Sequence, residues 1–207
     1  MSLLVESIKV LNGRLYNLSV HQARFDHTRR ALFGCATKIS LSKVIRSHDI
    51  PKTDLYKCRL VYDKIIREIT FQPYVFPMIK TLTLVRDDEL DYSHKWVERP
   101  QLDYLFSIKK EGDDIIIVQN ELVTDAFYYN LVFEKDNRFY TPATPLLKGT
   151  KRAKLIQSGK IQQCDIHVTE LQNYEKVHCI NAMTDLHKMT VSTNQILEEG
   201  GGDLLKK

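Results

Sequence analysis

Five polar segments of this chain concentrate side chains that can do chemistry. Asp91-Tyr92-Ser93-His94-Lys95-Trp96 sets an amine between two rings. Drawn out of water, such a lysine is a nucleophile toward an aldehyde and a carrier of protons. Val123-Thr124-Asp125 runs through Ala126-Phe127-Tyr128-Tyr129 to Asn130-Leu131-Val132-Phe133. Its carboxylate either meets a cationic partner or closes a hairpin. His21-Gln22-Ala23-Arg24 carries a guanidinium fork suited to phosphate. Thr141-Pro142 and then Pro145 to Arg152, with Gly149-Thr150 at a helix start, offer backbone N–H groups to an anion. Cys179-Ile180-Asn181-Ala182-Met183 brings a side-chain amide to a strand end. Taken singly, each has a plain structural reading: a solvent lysine, a turn aspartate, a surface arginine, an ordinary helix start.

The elements that must carry these groups follow from pattern. Residues 3–10 alternate apolar and polar, reach Asn12-Gly13 and resume at 15–18, which predicts a hairpin. Ser19 is expected to cap a helix from Val20 to Phe33, ended by Gly34. A second helix is expected over 40–48 with Ser40 as cap, then strands over 55–62 and 65–71. Pro73 and Pro77 suit a crossover. Beyond it the pattern predicts a strand over 79–85 and a helix from about Arg99 to Lys110. Strands follow over 115–120 and from Leu122, with a hairpin at Asp136-Asn137. A helix is expected from Gly149 to Ser158, then a strand over 161–168, a short helix near Leu171 and a strand over 177–182. The order reads as α/β and α+β in two domains, 1–76 and 77–197, with a flexible tail over 198–207 that holds three glycines.

Bulk properties narrow the class. The 207 residues are 43% hydrophobic and 27% charged, as in an ordinary globular protein. Thirty basic residues are interleaved with 26 acidic ones, for a net charge of +4 without a basic block, so no nucleic-acid partner is expected. MSLLVESIKV lacks a secretory pattern and no apolar run is long enough for a membrane span. Cys35, Cys58, Cys164 and Cys179 are far apart, so no zinc site is expected and free thiols in a reducing cytoplasm are.

In this order, the five segments resemble the fold-type IV pyridoxal 5′-phosphate (PLP) enzymes, which include D-amino-acid aminotransferase, branched-chain aminotransferase and aminodeoxychorismate lyase. The resemblance covers about residues 5–186. It implies a D-amino-acid aminotransferase-like fold, with an N-terminal α/β sandwich and a C-terminal β-barrel-like domain carrying helices. It implies PLP held as an internal aldimine on Lys95, which then shuttles the α-proton, with Asp125 facing the pyridine nitrogen. Tyr128, Tyr129 and Asn130 would line the cofactor turn; Arg24, Gly149, Thr150, Asn181 and Ala182 would surround the 5′-phosphate.

The chain also departs from the family pattern. Asp125 replaces a glutamate, AFYY replaces a serine-rich turn, and Val5 stands where an aromatic residue is common. Amino-acid transaminases end a strand on Arg-Gly to hold the substrate carboxylate; here the stretch is Leu60-Val61-Tyr62-Asp63-Lys64, which leaves Arg59 and Lys64 as substitutes. Arg99, four residues past Lys95, is expected beside the site or paired with Glu98 or Asp103. The implied activity is amino transfer between an amino acid and a 2-oxo acid. The alternatives are an aminodeoxychorismate lyase-type elimination that gives 4-aminobenzoate and pyruvate, and a catalytically silent relative. The implied partners are an amino acid or amino-chorismate-type small molecule and a second copy in a cytoplasmic homodimer, without nucleic acid or membrane.

Overall fold

The structure, a computed structural model, describes residues 2–198; the expected tail lies outside these residues except for Glu198. The chain forms two compact units, one reaching Phe76 and taking in His94–Glu98, the other made of Pro77–Ser93 and the residues from Arg99 on. Among the described residues no helix is long and apolar enough to cross a membrane.

The first unit is an antiparallel sheet in the order β2-β1-β3-β4 with two helices. Its strands are β1 (Leu4–Leu11), β2 (Arg14–Leu15), β3 (Leu55–Tyr62) and β4 (Ile66–Pro73). Asn12 and Gly13 take φ 49° and 75°, which makes the tight β1–β2 hairpin that Asn-Gly favours. Helix α1 (Leu18–Phe33) starts before Ser19: Asn17, at φ 52°, offers its carbonyl to the N–H groups of Val20 and His21, so Ser19 lies inside the helix instead of capping it. Gly34, at φ 64°, ends the helix. Helix α2 (Leu41–Arg46) has the expected cap, Ser40 accepting from Lys43 N–H. Leu4, Ile8 and Val10 of β1 meet Phe25, Leu41, Ile45, Cys58, Leu60 and Tyr62 in the core. The stretch 94–98 joins this unit as an added edge: Leu4 bridges Trp96, Val5 N–H donates to Lys95 C=O at 2.9 Å, and Val97 N–H donates to Leu3 C=O at 2.8 Å.

The second unit is built on a mixed sheet. Its strands are β5 (Leu82–Arg86), β6 (Asp114–Gln119), β7 (Leu122–Ala126), β8 (Asn130–Lys135), β9 (Arg138–Pro142), β10 (Gln162–Cys164), β11 (Lys176–Ile180), β12 (Thr190–Ser192) and β13 (Ile196–Leu197). They run β10-β9-β8-β7-β6-β5-β13, with β11 joining β8 and β12. Helix α3 (Pro100–Ile108) crosses between β5 and β6, and α4 (Thr150–Gln157) between β9 and β10. Asn120-Glu121 and Asp136-Asn137, all at positive φ, close two hairpins. β5 begins at Leu82 and not at residue 79, because the Asp113 carboxylate takes the N–H groups of Lys80 and Thr81 at 2.7 and 3.1 Å. β10 stops at Cys164 because the chain leaves β9 and pairs His167 with Leu122 instead. The helix expected near Leu171 is a 3₁₀ turn, Val168–Asn173.

Candidate active site

In the first unit, the site residues hang on the start of β1. Glu6 lies in phase with Leu4, Ile8 and Val10, and all four are fully buried. A carboxylate there needs partners, and α1 supplies them. Arg24 Nε and Nη2 donate at 2.8 and 2.6 Å, and His21 Nδ1 lies 2.6 Å from the same carboxylate. Burial pushes the Glu6 carboxyl up, but the Arg24 charge and the bonds from His21 and Arg24 outweigh it and hold its pKa at about 2. Lys95, half-buried, is carried on the neighbouring residue by the Val5–Lys95 backbone bond, while Trp96 packs against the core of this unit. Arg59 is paired with Glu68 at 3.4 Å, and Lys64 is exposed in the β3–β4 turn, its carbonyl accepting from Arg29. Asp63 takes Arg67 at 2.8 Å.

In the second unit, Asp125 is the penultimate residue of β7, with 4% of its surface exposed, opposite Asn130 at the start of β8. Asn130 Nδ2 donates to Asp125 Oδ1 at 2.7 Å and to Leu147 C=O at 2.8 Å; Leu147 N–H donates to Asp125 Oδ2 at 2.8 Å. Burial raises the Asp125 pKa to about 6 against the pull of these bonds and of the Arg152 charge. Gly149 completes the cradle: a Cβ there would fall 1.9 Å from Asn130 Oδ1, so only glycine fits. Thr150 starts α4, whose buried first turn carries Lys151 and Arg152 and no acid, and whose start has no side-chain cap. Lys151 is paired with Asp185 across to the loop after β11. In that loop Asn181 Oδ1 accepts from Met183 and Thr184 N–H, and Asn181 Nδ2 donates to Tyr128 C=O at 3.3 Å. Ala182 is half-buried beside it. The Thr184 hydroxyl, fully buried, has no partner among the described residues.

The two tyrosines part ways, Tyr129 entering the core and Tyr128 standing 58% exposed. Arg99 accounts for the turn between β7 and β8. Its guanidinium lies 4.0 Å from the Phe127 ring and 4.1 Å from the Tyr128 ring, donates to Phe127 C=O and pairs with Asp103 at 3.3 Å. Arg152 is buried and donates to Thr141 Oγ1, Pro142 C=O and Gln163 Oε1. Glu6 was not singled out from the sequence, and Lys151 and Arg152 were named only as the end of a segment, without a role of their own. For Glu6 the signal is a charge in the apolar phase of β1.

A buried acid, a glycine-floored cradle, a helix start with cations and no acid in its first turn, and an orphan hydroxyl fit a cofactor with a basic ring nitrogen and a phosphate. Residues 65–190 match the model of amino-transferase class IV. An uncharacterized protein of Haemophilus influenzae is 35% identical over 185 residues, covering 88% of this chain and 98% of the relative. The crystal structure of a candidate 4-amino-4-deoxychorismate lyase from Haemophilus somnus 129PT is 33% identical with a TM-score of 0.85, covering 90% of this chain and 98% of that one. That of a candidate amino-acid aminotransferase from Mesorhizobium loti shares the fold at 18% identity and a TM-score of 0.78, covering 95% and 100%. The chain therefore belongs to the class IV aminotransferase family of fold-type IV, PLP-dependent enzymes.

Proposed function

We propose that this enzyme moves an amino group between an amino acid and a 2-oxo acid, with Lys95 as the amine that holds the cofactor aldehyde. The observation that supports the reading is the Asp125–Asn130–Leu147 cradle over Gly149, which fixes a buried carboxylate next to the start of α4. When bound, PLP supplies an electron sink that makes the substrate α-proton acidic. Lys95 takes and returns that proton. Asp125 keeps negative charge at the ring nitrogen, and Asn130 and Leu147 N–H hold it in place. The family resemblance assigns the phosphate to Arg24 in the first unit and, in the second, to the backbone around Gly149-Thr150 and the Asn181-Ala182 loop. Arg59 and Lys64 are the cations assigned to the substrate carboxylate. The enzyme is taken to work in the cytoplasm as a homodimer, a reading supported by the family and by four cysteines without a disulfide.

A second reading, elimination of pyruvate to leave 4-aminobenzoate, is favoured by the 33% identity with the candidate lyase and by Asp63-Lys64 standing where transaminases carry Arg-Gly. Incubating PLP-loaded protein with amino acid donors in one arm and with 4-amino-4-deoxychorismate in the other separates the two: transfer accumulates the pyridoxamine form and a 2-oxo acid in the first arm, whereas elimination releases pyruvate and 4-aminobenzoate in the second and leaves the aldehyde form. Both require a visible absorbance band that borohydride bleaches and that Lys95→Ala lacks while remaining folded. A loaded wild-type protein without that band would overturn both.

A further inference from the structure

We propose that Glu6 is a positioning residue for the cofactor phosphate: its buried carboxylate sets the orientation of the Arg24 guanidinium on the same strand end that carries Lys95. This rests on the reading of Arg24 as a phosphate ligand and Lys95 as the cofactor amine. The motive is the position of Glu6. Residue 6 lies in the apolar row of β1 between Leu4 and Ile8, where another aliphatic side chain would fill the core without a charge. Buried ion pairs often stabilise no better than apolar residues of similar volume, so this one is poorly explained by stability. What the carboxylate does is grip. It holds Nε and Nη2 of Arg24 together, and His21, three residues earlier on α1, fixes the carboxylate in turn. Arg24 is thus held along one edge of its fork, and the ordering entropy of a long side chain is settled before a ligand arrives. The next residue along β1, Val5, binds the Lys95 carbonyl at 2.9 Å. Two adjacent β1 residues therefore anchor the Lys95 backbone and the Arg24 guanidinium to the same strand. The carboxylate stays ionised across the working pH range, with its pKa at about 2. Its negative charge offsets that of Arg24, so the gain comes from orientation and not from added positive charge.

The test compares PLP with pyridoxal, which has the aldehyde but no phosphate. Binding of each to the full chain is read by the visible band, and circular dichroism checks the fold. Glu6→Gln should raise the PLP Kd by about tenfold or more, as expected for loss of a charge-assisted contact, and leave the pyridoxal Kd unchanged. Arg24→Met should lose the same preference for PLP, and Glu6→Gln combined with Arg24→Met should be no worse than Arg24→Met alone. A folded Glu6→Gln variant with the wild-type preference, while Arg24→Met loses it, overturns the role of Glu6 alone. An Arg24→Met variant that keeps the preference removes Arg24 from the phosphate site and the present inference with it. If Glu6→Gln does not fold, Glu6→Asp keeps the charge and shortens the reach by one methylene; a reduced preference for PLP supports the inference and an unchanged one overturns it.

Discussion

In the proposed function the short Asp125 stands in for a longer family glutamate. It is a methylene shorter than the family's glutamate, and the structure draws Asn130 Nδ2 and Leu147 N–H onto its two oxygens. Asp125→Ala is expected to keep the visible cofactor band, since Lys95 is untouched, and to slow exchange of the substrate α-proton for deuterium on the order of a hundredfold. NMR of the substrate reads this, and an undiminished rate would show that another acid serves the ring. At this scale the sequence was informative where a residue sits in a recognisable segment, as Asp125, Asn130 and Gly149 do. It was silent where the partner lies far along the chain. Leu147 is 22 residues from Asp125, and Arg99 reaches a turn 28 residues away. Glu6 was readable in part: a charge in the apolar phase of a strand must find a partner, but nothing local says that the partner is Arg24.

At the scale of elements, Gly149 ties a helix start to a strand start. The backbone there is ordinary, with φ −68°, so the need for glycine is steric and comes from Asn130 Oδ1. Gly149→Ala must displace Asn130 from both Asp125 and Leu147. It is expected to cost about 1–3 kcal/mol in urea unfolding and to weaken PLP retention in dialysis. Gly34→Ala, at φ 64° with open space around it, should cost only about 1–2 kcal/mol and leave PLP retention intact. Together the two glycines separate backbone strain from crowding. Hairpins were the most legible elements, because Asn12-Gly13 and Asp136-Asn137 carry their own turn preference. Strand ends were the least legible. Asp113 removes two N–H groups from the approach to β5, and His167 leaves β10 for Leu122; neither event is local in sequence.

For the molecule as a whole, three buried carboxyls give stability a shape against pH. Asp114 and Asp125 have pKa values raised by burial to about 6, so each ionised form is penalised in the fold. Folding then binds protons between their unfolded values and pH 6, and stability rises as pH falls through that window. Glu6 works in the opposite sense. Its folded pKa of about 2 lies below the ordinary 4.5, so its contribution is complete above pH 4.5 and is lost toward pH 2. The cofactor-free protein should therefore show its highest melting temperature between about pH 4 and 6 in calorimetry. Asp114→Asn should flatten the neutral side and Glu6→Gln the acid side. A melting temperature that climbs steadily from pH 5 to 8 would contradict this. The cysteines divide similarly: Cys58 and Cys179 are buried with thiols pushed up by burial, while Cys35 and Cys164 are half-buried. An aromatic disulfide reagent should label two thiols in the native protein and all four in denaturant.

The neighbour of Lys95 has a use of its own. Trp96 is the single tryptophan of the chain and is seated in the packing of the first unit. Its near-ultraviolet emission overlaps the absorption of a pyridoxal imine, so a chromophore held on Lys95, as proposed, would quench an adjacent donor by energy transfer. Occupancy of the site can thus be followed by the dimming of one native fluorophore, with no label and with no second indole to blur the signal.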